Sequence, residues 1–535
     1  MAASGIGPTD RPRKTGRDRA RATRLAQASD PVPADGLMQA ALGRQRAGDT
    51  PGATALLEQA LRVDAGHLMV LTQLATLAVE RRDHASATTY AERALAHEPN
   101  CAPALAALAQ ARWLAGRPAD GLPMARRAME VQPRNAEFRL ICAHLCLWLG
   151  HHAEAEALLD ALLAEDWLDR PSRVRALHRW GELDIARGRF DDAVTRTRAA
   201  LALEPGNPAT HMIHGTNLLR LGQFEEGWRS YAIREQIPFF YPAGTPTPPG
   251  EKWIGQDPRG KTILLQDDQG YGDAIQFFRY LPLVWRLGPA RIVLQTFPLL
   301  RDLLAGSTQV ARVVTDAPAD LQPDLHCLTA NLPGLFSSRE GTIPASVPYV
   351  RPPNREPRDG LRLPMGQGPN GGHDAGRPGG LNVDLNVGLV WSGDARHLTD
   401  HLRSIPASRF LRIAGVKGVR FYCLQNLIRP SDIPALEACP AVDRIGERFV
   451  DFGDTASVVS QLDLIITVDT SVAHLAGALG KKVWILLPLA PDWRWLTDRA
   501  DSPWYPTARL FRCGPDGWDP VLARVETALR GFVGS

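Results

Sequence analysis

The stretch DLIITVDTSVAHLAGALGKKVWILLP, residues 463–488, decides the fold. It opens on an apolar run at 464–468 and closes on another at 483–487, with Ala and Leu at helical spacing between them, so it reads as strand, helix, strand. Where the first strand hands over to the helix stand Asp469, Thr470 and Ser471, residue types that cap a helix N-terminus. In a parallel sheet that terminus faces the crevice at the carboxyl ends of the strands, where its N–H groups and the positive end of its dipole favour an anion, phosphate above all. The plainer reading is that Asp469 and Thr470 only cap the helix and that His474, one turn in, packs locally.

Working outward, strands at 387–391 and 421–425 precede this unit and make an α/β half over 382–535. Strands at 262–266, 291–295 and 311–314, with a helix over 274–287, make an earlier half over 250–352. Between them residues 353–381 are dense in Gly, Pro and Arg and read as a flexible linker. Two Rossmann-like halves facing a cleft describe the GT-B architecture. In the loop QDDQGYGDAIQFFRYLP, 266–282, the pair Gly270 and Gly272 does not extend to a dinucleotide fingerprint, because Ile275 stands where the third glycine belongs.

Upstream, small residues recur at Ala53, Ala87, Gly121 and Ala155, each 34 on from the last, then at Ala193 after 38 and Gly227 after 34. That period is the tetratricopeptide unit, and six helix pairs result over 36–240, an α-helical solenoid ahead of the α/β halves. Ala60, Ala94, Ala128 and Ala200 keep step, as do Pro99, Pro133 and Pro205. The four extra residues near Asp169 to Arg173 fit a lengthened turn, since Pro171 disfavours a helix interior. The stacked pairs leave a concave groove suited to a protein partner, and Asn217 alone among its inferred lining residues is an asparagine.

Charge is nearly balanced, 61 basic against 58 acidic residues, which implies no nucleic-acid footprint. Residues 1–35 read as a disordered basic tail in which RPRKTGRDRARATR carries seven Lys or Arg and one Asp. No run approaches the ~20 apolar residues of a membrane span and no secretory leader is visible, so a cytoplasmic protein is expected. Seven cysteines without CxxC pairs fit a reducing compartment, and Cys142 and Cys146 read as buried thiols on one helix. No metal and no cofactor are expected.

The segment DTSVAHLAGALGKKVWILLP, with PDWRW and SPWYPTARLFR after it, resembles the donor-binding segment of family-9 glycosyltransferases, the lipopolysaccharide heptosyltransferase group, and especially relatives fused to tetratricopeptide repeats. The architecture is similar to that of O-GlcNAc transferase. The resemblance implies that Asp469, Thr470, Ser471 and His474 hold the diphosphate of a nucleotide-sugar donor. It implies the same for Arg403, which fits the family's basic residue before x-x-Pro, and places Gln425 beside the nucleotide. Asp273, following Gly270 and Gly272, takes the position of the general base that deprotonates the acceptor; an N-cap is its plainer role. Asp267 and Asp268 are reserves, and their Asp-Asp-Gln departs from the Glu-Gln-Gly of the relatives. In the Trp-rich tail, packing across the two halves stands ahead of an aromatic shelf for a sugar.

The expectation is therefore a metal-independent glycosyltransferase whose repeats select a protein acceptor, flagellin being one candidate. The alternatives are a non-catalytic repeat scaffold with a decayed transferase half, transfer to a lipopolysaccharide or polysaccharide acceptor, and a nucleotide-sugar epimerase of the same fold.

Overall fold

A computed structural model describes residues 33–237, 248–316, 320–358, 360–364, 385–395, 397 and 400–533. The chain divides into two compact units, 1–179 and 180–535. The tail over 1–32 lies outside the described residues, and the first helix already begins at Ala34, which is buried.

The first unit is a stack of antiparallel helix pairs: α1 (Ala34–Arg46) with α2 (Thr50–Val63), α3 (Leu68–Glu80) with α4 (His84–His97), α5 (Ala102–Leu114) with α6 (Pro118–Val131), and α7 (Ala136–Trp148) with α8 (His152–Leu163). Asp49 and Asp83 cap α2 and α4 by accepting from Gly52 N and Ser86 N. The repeating small positions sit where the pairs touch: Ala53, Ala87 and Ala155 are fully buried. At Gly121 a Cβ would lie 2.6 Å from the carbonyl oxygen of Ala109, so only glycine lets α5 and α6 approach this closely. The four extra residues do not lengthen a turn, as the sequence suggested. They lengthen α9 (Arg170–Ala186), which begins earlier because Asp169 caps it through Ser172 N at 2.7 Å. Pro171 sits in the first turn, where its missing N–H costs nothing.

The second unit takes in the end of α9, then α10 (Phe190–Leu203), α11 (Pro208–Arg220), α12 (Phe224–Tyr231) and a 3₁₀ turn, Ala232–Gln236. Its first sheet comprises β1 (Glu251–Lys252), β2 (Thr262–Gln266), β3 (Arg291–Gln295), β4 (Arg312–Val314) and β5 (Leu325–Leu328), in the order β1-β5-β2-β3-β4 and parallel throughout. The expected helix over 274–287 is broken into α13 (Tyr271–Phe277), a 3₁₀ turn and a short helix from Leu281, where Pro282 falls in a first turn. The second sheet comprises β6 (Leu385–Val390), β7 (Val419–Cys423), β8 (Val442–Asp443), β9 (Leu464–Val468), β10 (Val483–Leu487) and β11 (Ala508–Arg512), ordered β11-β10-β9-β6-β7-β8 and also parallel. Helices α14 (Phe452–Val459), α15 (Ser471–Ala478) and α16 (Trp518–Val533) complete it.

Each sheet reverses direction of winding beside its first long strand, between β2 and β5 in one and between β6 and β9 in the other. In open α/β sheets the ligand crevice lies at that switch point, outside the carboxyl ends of the strands.

The expected linker begins too early. Leu361 is fully buried, and Arg355 reaches Asp302 of the first half at 3.4 Å and Asp451 and Asp454 of the second at 2.8 and 3.0 Å. Residues 353–358 and 360–364 therefore strap the two halves, and the rest of the expected linker, 359 and 365–381, lies outside the described residues. One apolar core joins both halves, with Ile275 and Phe277 on one side, Ala473, Leu475 and Trp504 on the other, and Trp228 and Tyr231 of the last repeat. The Trp-rich tail packs across the halves as expected: Arg279, 2% exposed, lies over the rings of Tyr349, Trp504 and Tyr505 and donates to Trp504 O and Tyr349 Oη.

Candidate active site at the facing strand ends

The loop after β2 carries Asp267 to Asp273. Asp273 lies in the first turn of α13, where its Oδ2 accepts from Gly270 N at 2.9 Å and its Oδ1 is ion-paired with Arg494. Arg494 is 6% exposed, lies 4.2 Å over the Trp493 ring, and also donates to Asp492 at 2.8 Å and to Gln276. Reading the sequence missed Arg494 as a site residue. Its signal was present, an arginine between two tryptophans with an aspartate two residues before, in a segment read for the family resemblance and for its aromatics.

Gly272 has a specific reason. A Cβ there would stand 2.7 Å from His474 Cδ2 and 3.5 Å from Ser471 Cα, so glycine allows the N-terminus of α13 to meet that of α15. His474 is buried, its Nδ1 2.9 Å from the Tyr505 hydroxyl and its ring stacked 5.4 Å from Trp495. Burial first, and then the Arg494 cation, hold its pKa far below the usual histidine range, so the ring is neutral. The structure thus gives His474 packing partners at the helix junction.

Asp469 directly follows β9 and is 8% exposed; burial and the neighbouring Asp492 push its carboxyl up to about 6. Its carbonyl accepts from Arg403 Nη1 at 2.8 Å. Thr470 holds the extended N-cap conformation, yet its hydroxyl turns back to Thr467 Oγ1 at 3.2 Å and makes no cap bond, while Ser471 opens the helix. Arg403 fits against Gly393, where a Cβ would come within 2.6 Å of its guanidinium. Gln425 is 5% exposed, and its amide is spent on the loop after β6: Oε1 accepts from Trp391 N and Ser392 N at 2.9 and 3.1 Å, and Nε2 donates to Ser392 Oγ at 2.9 Å. It shapes the switch-point loop from beneath.

The carboxyl end of the first sheet is occupied differently. Asp267 accepts from Thr329 Oγ1 at 2.7 Å through one oxygen, its other oxygen is buried without a hydrogen-bond partner, and burial pushes the carboxyl up to about 7. Asp268 pairs with Arg234 of the last repeat at 2.9 Å, the two side chains being 4% and 1% exposed. Asn217 is 1% exposed and accepts from Arg220, so it lines no groove. A cavity of about 830 Å³ opens between α12 and the first half, floored by Trp228, Tyr231, Trp253 and Phe336.

In the first unit, Cys142, Cys146 and Glu154 bring two thiols and a carboxylate within 4.8 Å of one another. Arg126 grips Glu154 with a two-pronged fork at 2.9 and 2.7 Å, setting a cation where a metal would need the carboxylate. His144 on the same helix packs against Trp113 and Trp148, and burial pushes its pKa down to about 2.

The comparisons with known proteins agree with the repeats. A tetratricopeptide-repeat family model matches residues 112–180. Protein FlbA of Caulobacter vibrioides is 26% identical over 530 residues, covering 92% of this chain and 84% of that protein. Among solved structures, a thermophilic tetratricopeptide-repeat protein of Thermus thermophilus is 21% identical with TM-score 0.32, covering 35% of this chain and 99% of that one. A repeat protein of Parabacteroides merdae is 17% identical with TM-score 0.30, covering 40% and 81%. The family model supports tetratricopeptide repeats in the N-terminal part, an architecture that supports a protein-binding role, and two parallel α/β halves follow. No helix among the described residues is long and apolar enough to cross a membrane.

Proposed function

We propose that the second unit is a glycosyltransferase of GT-B type that takes a sugar from a nucleotide-sugar donor and passes it to a protein acceptor selected by the repeats. The observation that carries this reading is the β6/β9 switch point, where the N-terminus of α15, the Arg403 guanidinium and the loop held by Gln425 converge on one crevice. A diphosphate is the ligand such a terminus favours, and an arginine fork complements it. In this reading Asp273 receives the proton of the acceptor hydroxyl while the hydroxyl oxygen forms its bond to the anomeric carbon. The bond from that carbon to the donor phosphate breaks, and its electron pair leaves with the nucleoside diphosphate. Arg494 now neutralises Asp273, so the base is freed when a donor phosphate draws the guanidinium away.

Asp273→Asn is expected to keep donor binding and lower transfer by about 10²–10⁴, the worth of a positioned base. Transfer is read by mass spectrometry of proteins glycosylated by the full chain; turnover equal to wild type would remove Asp273 from the mechanism. A second reading, a repeat scaffold without turnover, draws support from the same Asp273–Arg494 pair, which occupies base and cation together. Absence of donor hydrolysis and transfer in the wild-type chain would favour it.

A further inference from the structure

We infer that Arg234, in the 3₁₀ turn closing the last repeat, positions the loop that carries Asp273, so the final repeat is a working part of the transfer centre as well as a support for acceptor selection. The inference rests on the glycosyltransferase reading for its catalytic half and on geometry for the rest. Arg234 enters the switch point of the first sheet, where its Nη2 donates to Asp268 Oδ2 at 2.9 Å and its Nη1 to Asn331 Oδ1 at 2.7 Å. The guanidinium lies 4.5 Å over the Tyr231 ring of its own repeat. Gln269 follows Asp268 in the loop. With its amide oriented to satisfy both ends, its oxygen accepts from Arg234 Nε at 3.1 Å and from the Tyr231 hydroxyl, and its nitrogen donates to Asp273 Oδ1 at 3.3 Å.

Two hydrogen bonds therefore lead from Arg234 to the carboxylate of Asp273. The oxygen they reach is the one paired with Arg494, so the repeat and the second half both hold the same atom. A fastening that only joined two modules would need the Asp268 and Asn331 contacts and nothing more. The added link through Gln269 gives the repeat a hold on the geometry of the base, and a displacement of a catalytic group by about 1 Å can cost 10²-fold in rate.

Two variants of the full chain separate these roles. Arg234→Met removes the whole network, whereas Gln269→Leu cuts the link to Asp273 together with the bonds Gln269 accepts from Arg234 Nε and the Tyr231 hydroxyl, and leaves the Arg234–Asp268 pair in place; Arg234→Lys is the conservative control. Hydrogen exchange over residues 266–277 needs no ligand and is expected to quicken in Arg234→Met and Gln269→Leu, with the strands of the second sheet unchanged. Turnover, measured as nucleoside diphosphate released from a panel of UDP-, GDP-, ADP- and CDP-linked sugars, is expected to fall about 10²-fold in both. Affinity for the free diphosphate stays at the wild-type value, and Arg234→Lys recovers part of the rate. Unchanged exchange in the loop overturns the inference, as does faster exchange with wild-type turnover. Faster exchange in a chain whose wild type releases no diphosphate from any donor leaves the positioning standing and overturns the glycosyltransferase reading instead.

Discussion

Asp267 shows how a single residue reports the cost of building this crevice. Its carboxyl is raised from an ordinary 3.8 to about 7 because burial penalises the charge, so the folded chain holds a proton that the unfolded chain releases between those values. The stability this group lends is complete below about pH 4 and is lost as the pH rises through 7. Asp267→Asn keeps the acceptor for Thr329 and removes the charge, so it is expected to stabilise the fold at pH 8 by a few kcal/mol at most, read as a higher melting temperature, with the gain vanishing as the pH falls to 4. Calorimetric melts across that range check it, and a gain that does not depend on pH would show that Asp267 is not buried as a charge. At this scale the sequence was only partly legible. Asp469 could be named from its place at a helix N-terminus, and Asp273 and Arg403 through the family resemblance, but the partners that spend the last two, Arg494 on Asp273 and a backbone carbonyl on Arg403, come from segments more than 60 residues away.

At the scale of elements, the strands deep in each sheet were the most legible. The apolar runs at 262–266, 464–468 and 483–487 are the observed β2, β9 and β10 to the residue, because a parallel strand buried on both faces must be continuously apolar. The sheet-edge strands β1, β8 and β11 and the buried β5 were not read. β1 and β8 are two residues long, β11 holds two arginines among its five residues, and β5 holds a histidine and a cysteine, so their pairing is decided by their neighbours. The junction of α13 and α15 was likewise invisible, since the sequence offers Gly272 as part of a loop motif and not as a contact. Gly272→Ala places a methyl group against His474, which cannot yield because Trp495 and Tyr505 hold its ring. The expected cost is about 1–3 kcal/mol, read as a lower melting temperature of the second unit. A melt identical to wild type would mean that the two helix ends do not meet.

The whole molecule divides where the repeat pattern would not have divided it. The repeats run on to Gly227 past the one 38-residue step, yet the compact units separate within α9, and the last helices fold with the α/β halves. Trp228 donates to Ser338 O at 2.8 Å, Arg220 to Pro491 O at 3.0 Å, and Arg234 reaches into the first sheet. A chain beginning at residue 207 keeps all three contacts and is expected to bind donor as the full chain does while failing to modify the protein acceptor. Acceptor glycosylation undiminished in that chain would assign the first five repeats to another task. One beginning at residue 238 loses all three contacts, exposes the face that α12 covers and should precipitate. The proposed binding of a nucleoside diphosphate in the crevice between β6 and β9 is checked by titration calorimetry of the full chain against UDP, GDP, ADP and CDP. Saturable binding of at least one of them is expected, weakened by roughly 1.5–3 kcal/mol in Arg403→Ala, the scale of a charge-assisted hydrogen bond. Heat-silent titrations with all four, or an affinity that Arg403→Ala leaves unchanged, would contradict it.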